Sequence, residues 1–424
     1  MLYVIVFLYL VILLFQKRRN NCYLLLVLLQ IASIGMGGFV GHYLRYDTLK
    51  TFLNLLFVLI NIYLIVSPWR YASFQEIIIK DKYTFLKIEK LLDYTLRIVL
   101  VVNTIVFLLV LIFIPDIAEF KNEQGFKQLY DSIPMFSTIF RICAMTQYLG
   151  YFAIPISAYY LQEGNKKKSL KFLFLSLSSL MGAVALYSRA GILTFFLTAV
   201  AFYLLVFSIF NTGLRDKIKK MIIRGTIAVV ALFLTITVIR FSAMPWYGDR
   251  IPSDSKIQDP IAYNIFDYAS QGFTNGISQL ELHTKTDVLK GEANLYLVYQ
   301  TLSFFHLMNW SSDEAHERFD KAYNKNGLED ENDSSAFHGY TCRLIKDFGY
   351  IITLIIDVIF FCYIKNNTKR KRVDIKSLFI IVLLLTQPCV SIFYETYGEI
   401  LFPYLFLIII TTWARMSKSG RIAK

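Results

Sequence analysis

The chain has 424 residues, 56% of them hydrophobic, with a mean hydropathy of +0.49 and a formal charge of +13. Only 18% of the residues are charged, too few for a soluble chain of this length. The basic surplus does not describe a nucleic-acid surface either, because Lys and Arg fall in short clusters between long apolar runs, as they do where membrane topology is encoded.

About twenty apolar residues in a helix cross the hydrocarbon core of a bilayer. Candidate spans in chain order are 1–15, 22–43, 50–67, 95–114, 139–161, 170–187, 190–210, 222–240, 349–364, 377–394 and 400–414. The first lacks a basic flank before it and a small-residue cleavage site after it, so it reads as a retained helix rather than a signal peptide. Only Ser188 and Arg189 divide the sixth and seventh spans. Trp69–Tyr94, which mixes Ile and Leu with Lys, reads as an interfacial helix. The fold class expected is an all-α polytopic membrane protein of about eleven transmembrane helices. Its parts are a bundle over 1–240, one large extracytoplasmic loop over 241–348, and C-terminal spans with a tail over 349–424.

Charge placement orients this arrangement. Loops of one parity hold 27 Lys and Arg, whereas the short loops of the other hold five, Arg45, Lys50, Lys121, Lys127 and Arg189. Excess positive charge stays cytoplasmic, so the N-terminus is expected outside and the C-terminus inside. The stretch 241–348 carries 9 basic and 16 acidic residues and falls on the outer side. Asp313–Asp320 and Glu329–Asp333 read as solvated segments, and Leu295–Met308 as a helix lying on the membrane surface. The five cysteines form no C-x-x-C pair, and no disulfide framework or zinc site is expected.

Charged groups inside a bilayer are costly, about 2.5–3.5 kcal/mol at a helix centre, so those near the spans need a reason. Arg189 lies in Tyr187-Ser188-Arg189-Ala190-Gly191, between two apolar helices. It reads either as a side chain snorkelling to outer headgroups or as a guanidinium gripping a phosphate, with small Ala190 and Gly191 admitting a close backbone. Arg141, Arg240 and Arg250 fall near the same membrane face. Four guanidiniums where positive charge is disfavoured suggest an anionic, lipid-linked ligand. Where the chain returns from the large loop, His338 is either a general base near neutral pH or a surface histidine. Arg343 and Asp347 are spaced to pair along one helix face. His283, His306 and His316 lack ligand spacing, and Asp330–Asp333 reads as a solvated turn rather than a metal site. Asn309-Trp310-Ser311 and Asn332-Asp333-Ser334 fit the glycosylation sequon, a pattern common by chance. Tyr247, Tyr263, Phe266, Tyr268 and Trp310 suit either sugar stacking or core packing. No phosphate-binding glycine loop, Ser/His/Asp arrangement or H-E-x-x-H is present.

The chain resembles the bacterial polysaccharide polymerases of the Wzy type, which join oligosaccharide repeat units. The resemblance rests on the span count with one large outer loop, on Ser188-Arg189-Ala190-Gly191 opening a span, and on Tyr340-Thr341 followed by Asp347-Phe348-Gly349 at re-entry. It implies a fold similar to the membrane glycosyltransferases that use lipid-linked donors, a GT-C-like body. The implied substrate is an undecaprenyl-diphosphate-linked oligosaccharide, joined to the next unit at the outer leaflet of the bacterial inner membrane. The product would be an O-antigen, capsule or exopolysaccharide. The resemblance further implies a metal-independent reaction without a cofactor, in which Arg189 with Arg141, Arg240, Arg250 and Arg343 holds the diphosphate. His338 would deprotonate the acceptor, although Gly339 follows it where related ligases have Asn, so Glu281, Glu395 and Glu399 stay open for that role. Membrane lipid and a chain-length regulator are the implied partners, and no nucleic acid. An O-antigen ligase and a lipid-linked oligosaccharide flippase or other transporter are the competing readings.

Overall fold

The computed structural model describes residues 2–17, 19–41, 48–113, 139, 142–186, 188–242, 251–253, 255–282, 288–323 and 338–422. The chain is predominantly helical. Among the described residues, six helices are long and apolar enough to cross a membrane, and three apolar helices are shorter, Val4–Leu14, Arg189–Leu205 and Ile375–Val390. The protein is therefore a helical membrane protein, with one small exception to the all-α reading. Two three-residue strands, β1 (Glu76–Ile78) and β2 (Arg372–Asp374), pair in parallel.

The chain divides into two units. The first comprises 1–72, 246–369 and 387–401. It contains α1 (Leu2–Leu14), α2 (Asn21–Val40) and α3 (Leu49–Val66), the latter two each opened by a polar cap. The Asn20 side chain accepts from the Tyr23 N–H at 2.9 Å, satisfying one of the donors that a helix start leaves over. Its amide also donates to the Trp69 carbonyl at 2.8 Å, tying α2 to the turn that follows α3. Pro68 lies in the first positions of that turn, Ser67–Tyr71, where a proline is tolerated because its missing N–H has no helical partner to lose.

The expected interfacial helix over Trp69–Tyr94 is not what forms. The segment contains the 3-10 turn, strand β1 and then the start of α4 (Lys82–Phe113). Three consecutive isoleucines at 77–79 favour extended backbone, and the Lys371 carbonyl receives the Gln75 N–H at 2.7 Å.

The second unit comprises 73–245, 370–386 and 402–424. It holds α4, α5 (Ala153–Gln162), α6 (Lys166–Ala185), α7 (Arg189–Leu205) and α8 (Thr212–Ser242). The division at Ser188–Arg189 holds. The Ser188 hydroxyl accepts from the Gly191 N–H at 3.0 Å and starts α7, and its own N–H donates to the Ala183 carbonyl at 2.8 Å. α4 packs along α6, with Asp93 pairing with Lys171 at 2.8 Å, and its Glu89 accepts from Tyr160 of α5 at 2.8 Å.

The remaining helices of the first unit are α9 (Pro260–Leu282), α10 (Tyr296–Phe304), α11 (Ser312–Tyr323) and α12 (Gly339–Thr368). α13 (Ile375–Val390) and α14 (Tyr397–Ile422) contribute to both units. α12 is broken at Gly349, whose φ of 78° suits glycine and not a side chain with a Cβ. Its second arm presents Ile351, Ile355 and Ile359 outward, while Thr353 and Asp357 are buried. Polar-in and apolar-out is the arrangement a lipid environment imposes. α9, within the stretch read as the outer loop, packs along α2, α3 and α12. From Gln271 to Leu280 every residue of it is buried, although Gln271, Thr274, Asn275, Ser278 and Gln279 are polar.

Candidate functional site

In the second unit the site builds from the start of α7. Arg189 occupies the first helical position after the Ser188 cap and is only 6% exposed. Its Nη1 approaches the Thr237 hydroxyl at 3.5 Å, and its guanidinium lies 6.0 Å from the centre of the Phe233 ring. Thr237 donates in turn to the Phe233 carbonyl at 2.7 Å, which leaves its oxygen lone pairs toward the arginine. Both partners belong to α8. A Cβ on Gly191 would sit 2.6 Å from Gln147 Nε2 and 2.9 Å from the Ala183 methyl. A Cβ on Gly182, one turn from the end of α6, would lie 3.0 Å from Asn103 Nδ2. Carboxamides thus reach the helix pair at its two glycines. The Arg189 side chain is enclosed within the protein. A buried guanidinium beside a helix N-terminus, whose free N–H groups carry partial positive charge, is suited to an anion.

Arg240 falls in α8, and Arg141 and Arg250 lie outside the described residues. Of the expected diphosphate set, the first unit holds Arg343.

In that unit the re-entering segment is fixed by backbone contacts. The N–H groups of Gly339 and Tyr340 donate to the carbonyls of Phe393 and Ser391, each at 2.9 Å. His338 precedes them as the N-terminal flank of α12 and is buried, so it is not a surface histidine. α9 comes close enough that a Cβ on Gly276 would lie 2.3 Å from the His338 carbonyl oxygen, and one on Gly272 2.1 Å from that of Ile392. Two glycines four residues apart permit such an approach between helical backbones.

Arg343 and Asp347 direct their contacts to other parts of the chain rather than along the helix. The Arg343 Nε lies 3.8 Å from Glu395, which is itself buried. Asp347 accepts from the Asn294 N–H at 2.9 Å, the Asn294 side-chain amide at 2.8 Å and the Ala293 N–H at 3.2 Å. Lys346 donates to Gln279 at 2.6 Å, and the Tyr340 hydroxyl meets Asp357 and, at 3.3 Å, the Tyr397 hydroxyl. Burial pushes the Glu395 carboxyl above its ordinary range, with Arg343 and the Tyr397 N–H pulling the other way. That leaves Glu395 readier to take up a proton than an exposed carboxylate.

The other candidates separate clearly. Glu281 accepts from Thr48 at 2.7 Å and Thr51 at 3.0 Å, at the start of α3. Glu399 is exposed in the first turn of α14. Phe266 packs edge-on to Phe39, Tyr268 against Phe393, and Trp310 against Tyr296 and Tyr299, so three of the outer aromatics serve packing. His283, Tyr247 and Asp330–Asp333 lie outside the described residues. Among the described residues no group of three or more His, Cys, Asp and Glu is placed to hold a metal ion.

A cavity of about 30 Å³ lies in the first unit, bounded by Gln30, Ser33, Gly272, Gly276, His338 and Ser391 among others. A space of that size admits water. Gln30 donates to the Ser391 hydroxyl at 2.9 Å along its wall.

Hydropathy did not reveal α9, Gln147 or Asn103. The signal that could have marked α9 is the Gly272–Gly276 spacing between polar residues recurring at three and four. No family model matches the chain, and no curated protein or solved structure is similar to it.

Proposed function

We propose that the chain is a membrane glycosyltransferase that polymerises undecaprenyl-diphosphate-linked repeat units into a surface polysaccharide. The body would be GT-C-like with about eleven spans in the bacterial inner membrane, its N-terminus outside and its C-terminus cytoplasmic. The observation that carries the reading is Arg189, a guanidinium enclosed at the start of an apolar helix, where a helix N-terminus also favours an anion.

The chemistry asks little more of the protein. The acceptor hydroxyl oxygen attacks the anomeric carbon of the growing chain. The bond from that carbon to the lipid diphosphate breaks, and its electron pair leaves with the diphosphate. Arg189 stabilises the departing charge, a contact worth ~3 kcal/mol by the measure of preorganised oxyanion donors. The acceptor proton passes to a base. In this scheme arginine supplies the positive charge that a metal ion supplies elsewhere.

The test is Arg189→Ala in a cell that makes the polymer. The expected result is loss of long chains, with single capped units retained and normal membrane insertion. Wild-type chain lengths would remove Arg189 from the mechanism.

A second reading, transport of a lipid-linked oligosaccharide, is favoured by one observation. Lys346, Asp347 and Asp357 are all buried in α12, and charges deep in a bundle often line a transport path. A carrier would move the lipid-linked unit across vesicles without lengthening it.

A further inference from the structure

The ends of two candidate spans carry a cluster that the proposed reaction does not use. Leu49–Tyr71 ends in Trp69-Arg70-Tyr71, and Gly339–Thr368 ends in the turn that holds Lys365. Three cations converge on the Tyr71 ring. The Arg70 guanidinium lies 4.8 Å from its centre, Lys365 Nζ 5.4 Å and Lys369 Nζ 5.2 Å. They are thus within about 11 Å of one another, close to a Debye length at physiological salt, and repel.

The platform beneath them is rigid. Trp69 is fully buried, donates its Nε1–H to the Ile65 carbonyl at 3.0 Å and packs against Phe360 at 6.3 Å. Asn20 donates to the carbonyls of Trp69 and Ala72 at 2.8 and 3.4 Å, holding the turn on both sides of Arg70 and Tyr71. Arg70 gives one N–H to the Tyr71 hydroxyl at 2.8 Å, and its Nε is buried with no acceptor among the described residues. Lysines that merely snorkel spread into water. Here they turn toward one ring together with an arginine whose donor is still to be used.

We propose that Arg70, Tyr71, Lys365 and Lys369 form a binding site for the phosphate of an anionic membrane lipid. The Arg70 fork and the two ammonium groups take the phosphate oxygens, and the acyl chains lie along the apolar faces of the two spans. Juxtamembrane basic clusters recognise anionic headgroups in this way. The site lies at the ends of the two spans and is independent of the glycosyl-transfer reading, since its readout is lipid retention and not polymer.

The experiment compares wild-type protein with Arg70→Gln/Lys365→Gln/Lys369→Gln and with a control of equal charge loss, Lys217→Gln/Lys219→Gln/Lys220→Gln on α8. Each is reconstituted in phosphatidylcholine with a graded fraction of phosphatidylglycerol, and retained lipid is counted by native mass spectrometry. The site variant is expected to bind phosphatidylglycerol at least about tenfold more weakly, and the control to match wild type. Lys369→Gln alone, an exposed position, is expected to give a partial loss even if the triple variant folds poorly. Unchanged affinity in both the triple and the single variant would overturn the site, as would an equal loss in the control. Full displacement of phosphatidylglycerol by inorganic phosphate from the mixed membranes would overturn the assignment to a lipid and leave a free-anion site.

Discussion

Gly276→Ala tests how the re-entering segment is held in place. The added Cβ would lie 2.3 Å from the His338 carbonyl oxygen, where ordinary contact begins at 3.4 Å. Either α9 or the turn before α12 must move by about 1 Å, and neither contact is a flexible side-chain tip. Overpacking of this kind costs ~1–3 kcal/mol, and a backbone neighbour places it at the upper end. Alanine returns ~1 kcal/mol in helix propensity, so a net loss of about 2 kcal/mol is expected. Gly35→Ala is the matched control, because nothing lies within 4 Å of its Cβ position, and it should be neutral or stabilising by up to ~1 kcal/mol. Unfolding of the two variants in detergent, followed by tryptophan fluorescence, measures the difference. A Gly276→Ala protein as stable as Gly35→Ala would refute the close approach of α9 to His338.

Other substitutions probe the remaining parts. Asp347→Ala removes the acceptor of three N–H donors at 293–294. It should cost ~3 kcal/mol and raise amide hydrogen exchange across 289–295, whereas unchanged exchange would show that the loop is held otherwise. Glu395 is raised by burial, so the fold disfavours its ionised form. Its contribution to stability is full below its unfolded value and is lost as pH rises through the folded one. Unfolding measured against pH should show this fall in wild type and not in Glu395→Gln, and two superimposable profiles would contradict the assignment. Arg189→Lys keeps the charge but not the planar fork, and should restore little of the activity lost in Arg189→Ala. Full activity in the lysine variant would mean that charge alone suffices.

Each stretch picked out by hydropathy contains helix, since the need for apolar length is written locally in the chain. The break at Ser188 and Arg189 was equally legible, because a serine followed by an arginine interrupts a long apolar run. What escaped reading depends on packing between distant residues. The α9 helix is polar in composition and was read as extramembrane, yet its two glycines bring it against α12 and 391–392. Arg343 was matched to Asp347 four residues away, but its carboxylate contact in the fold is Glu395. Spacing proposes the nearest opposite charge and cannot weigh one supplied from 52 residues later. The parallel pairing of Glu76–Ile78 with Arg372–Asp374 joins segments almost three hundred residues apart, beyond what local pattern can foresee.

Polymerisation of a purified undecaprenyl-diphosphate-linked repeat unit by the reconstituted protein tests the central claim most directly. Wild-type protein should extend the unit into a ladder of products and release undecaprenyl diphosphate. Arg189→Ala, equally folded, should leave the unit unextended. A wild-type preparation that forms no ladder, or an alanine variant that forms the same one, would contradict the claim that a buried guanidinium drives transfer from a lipid diphosphate.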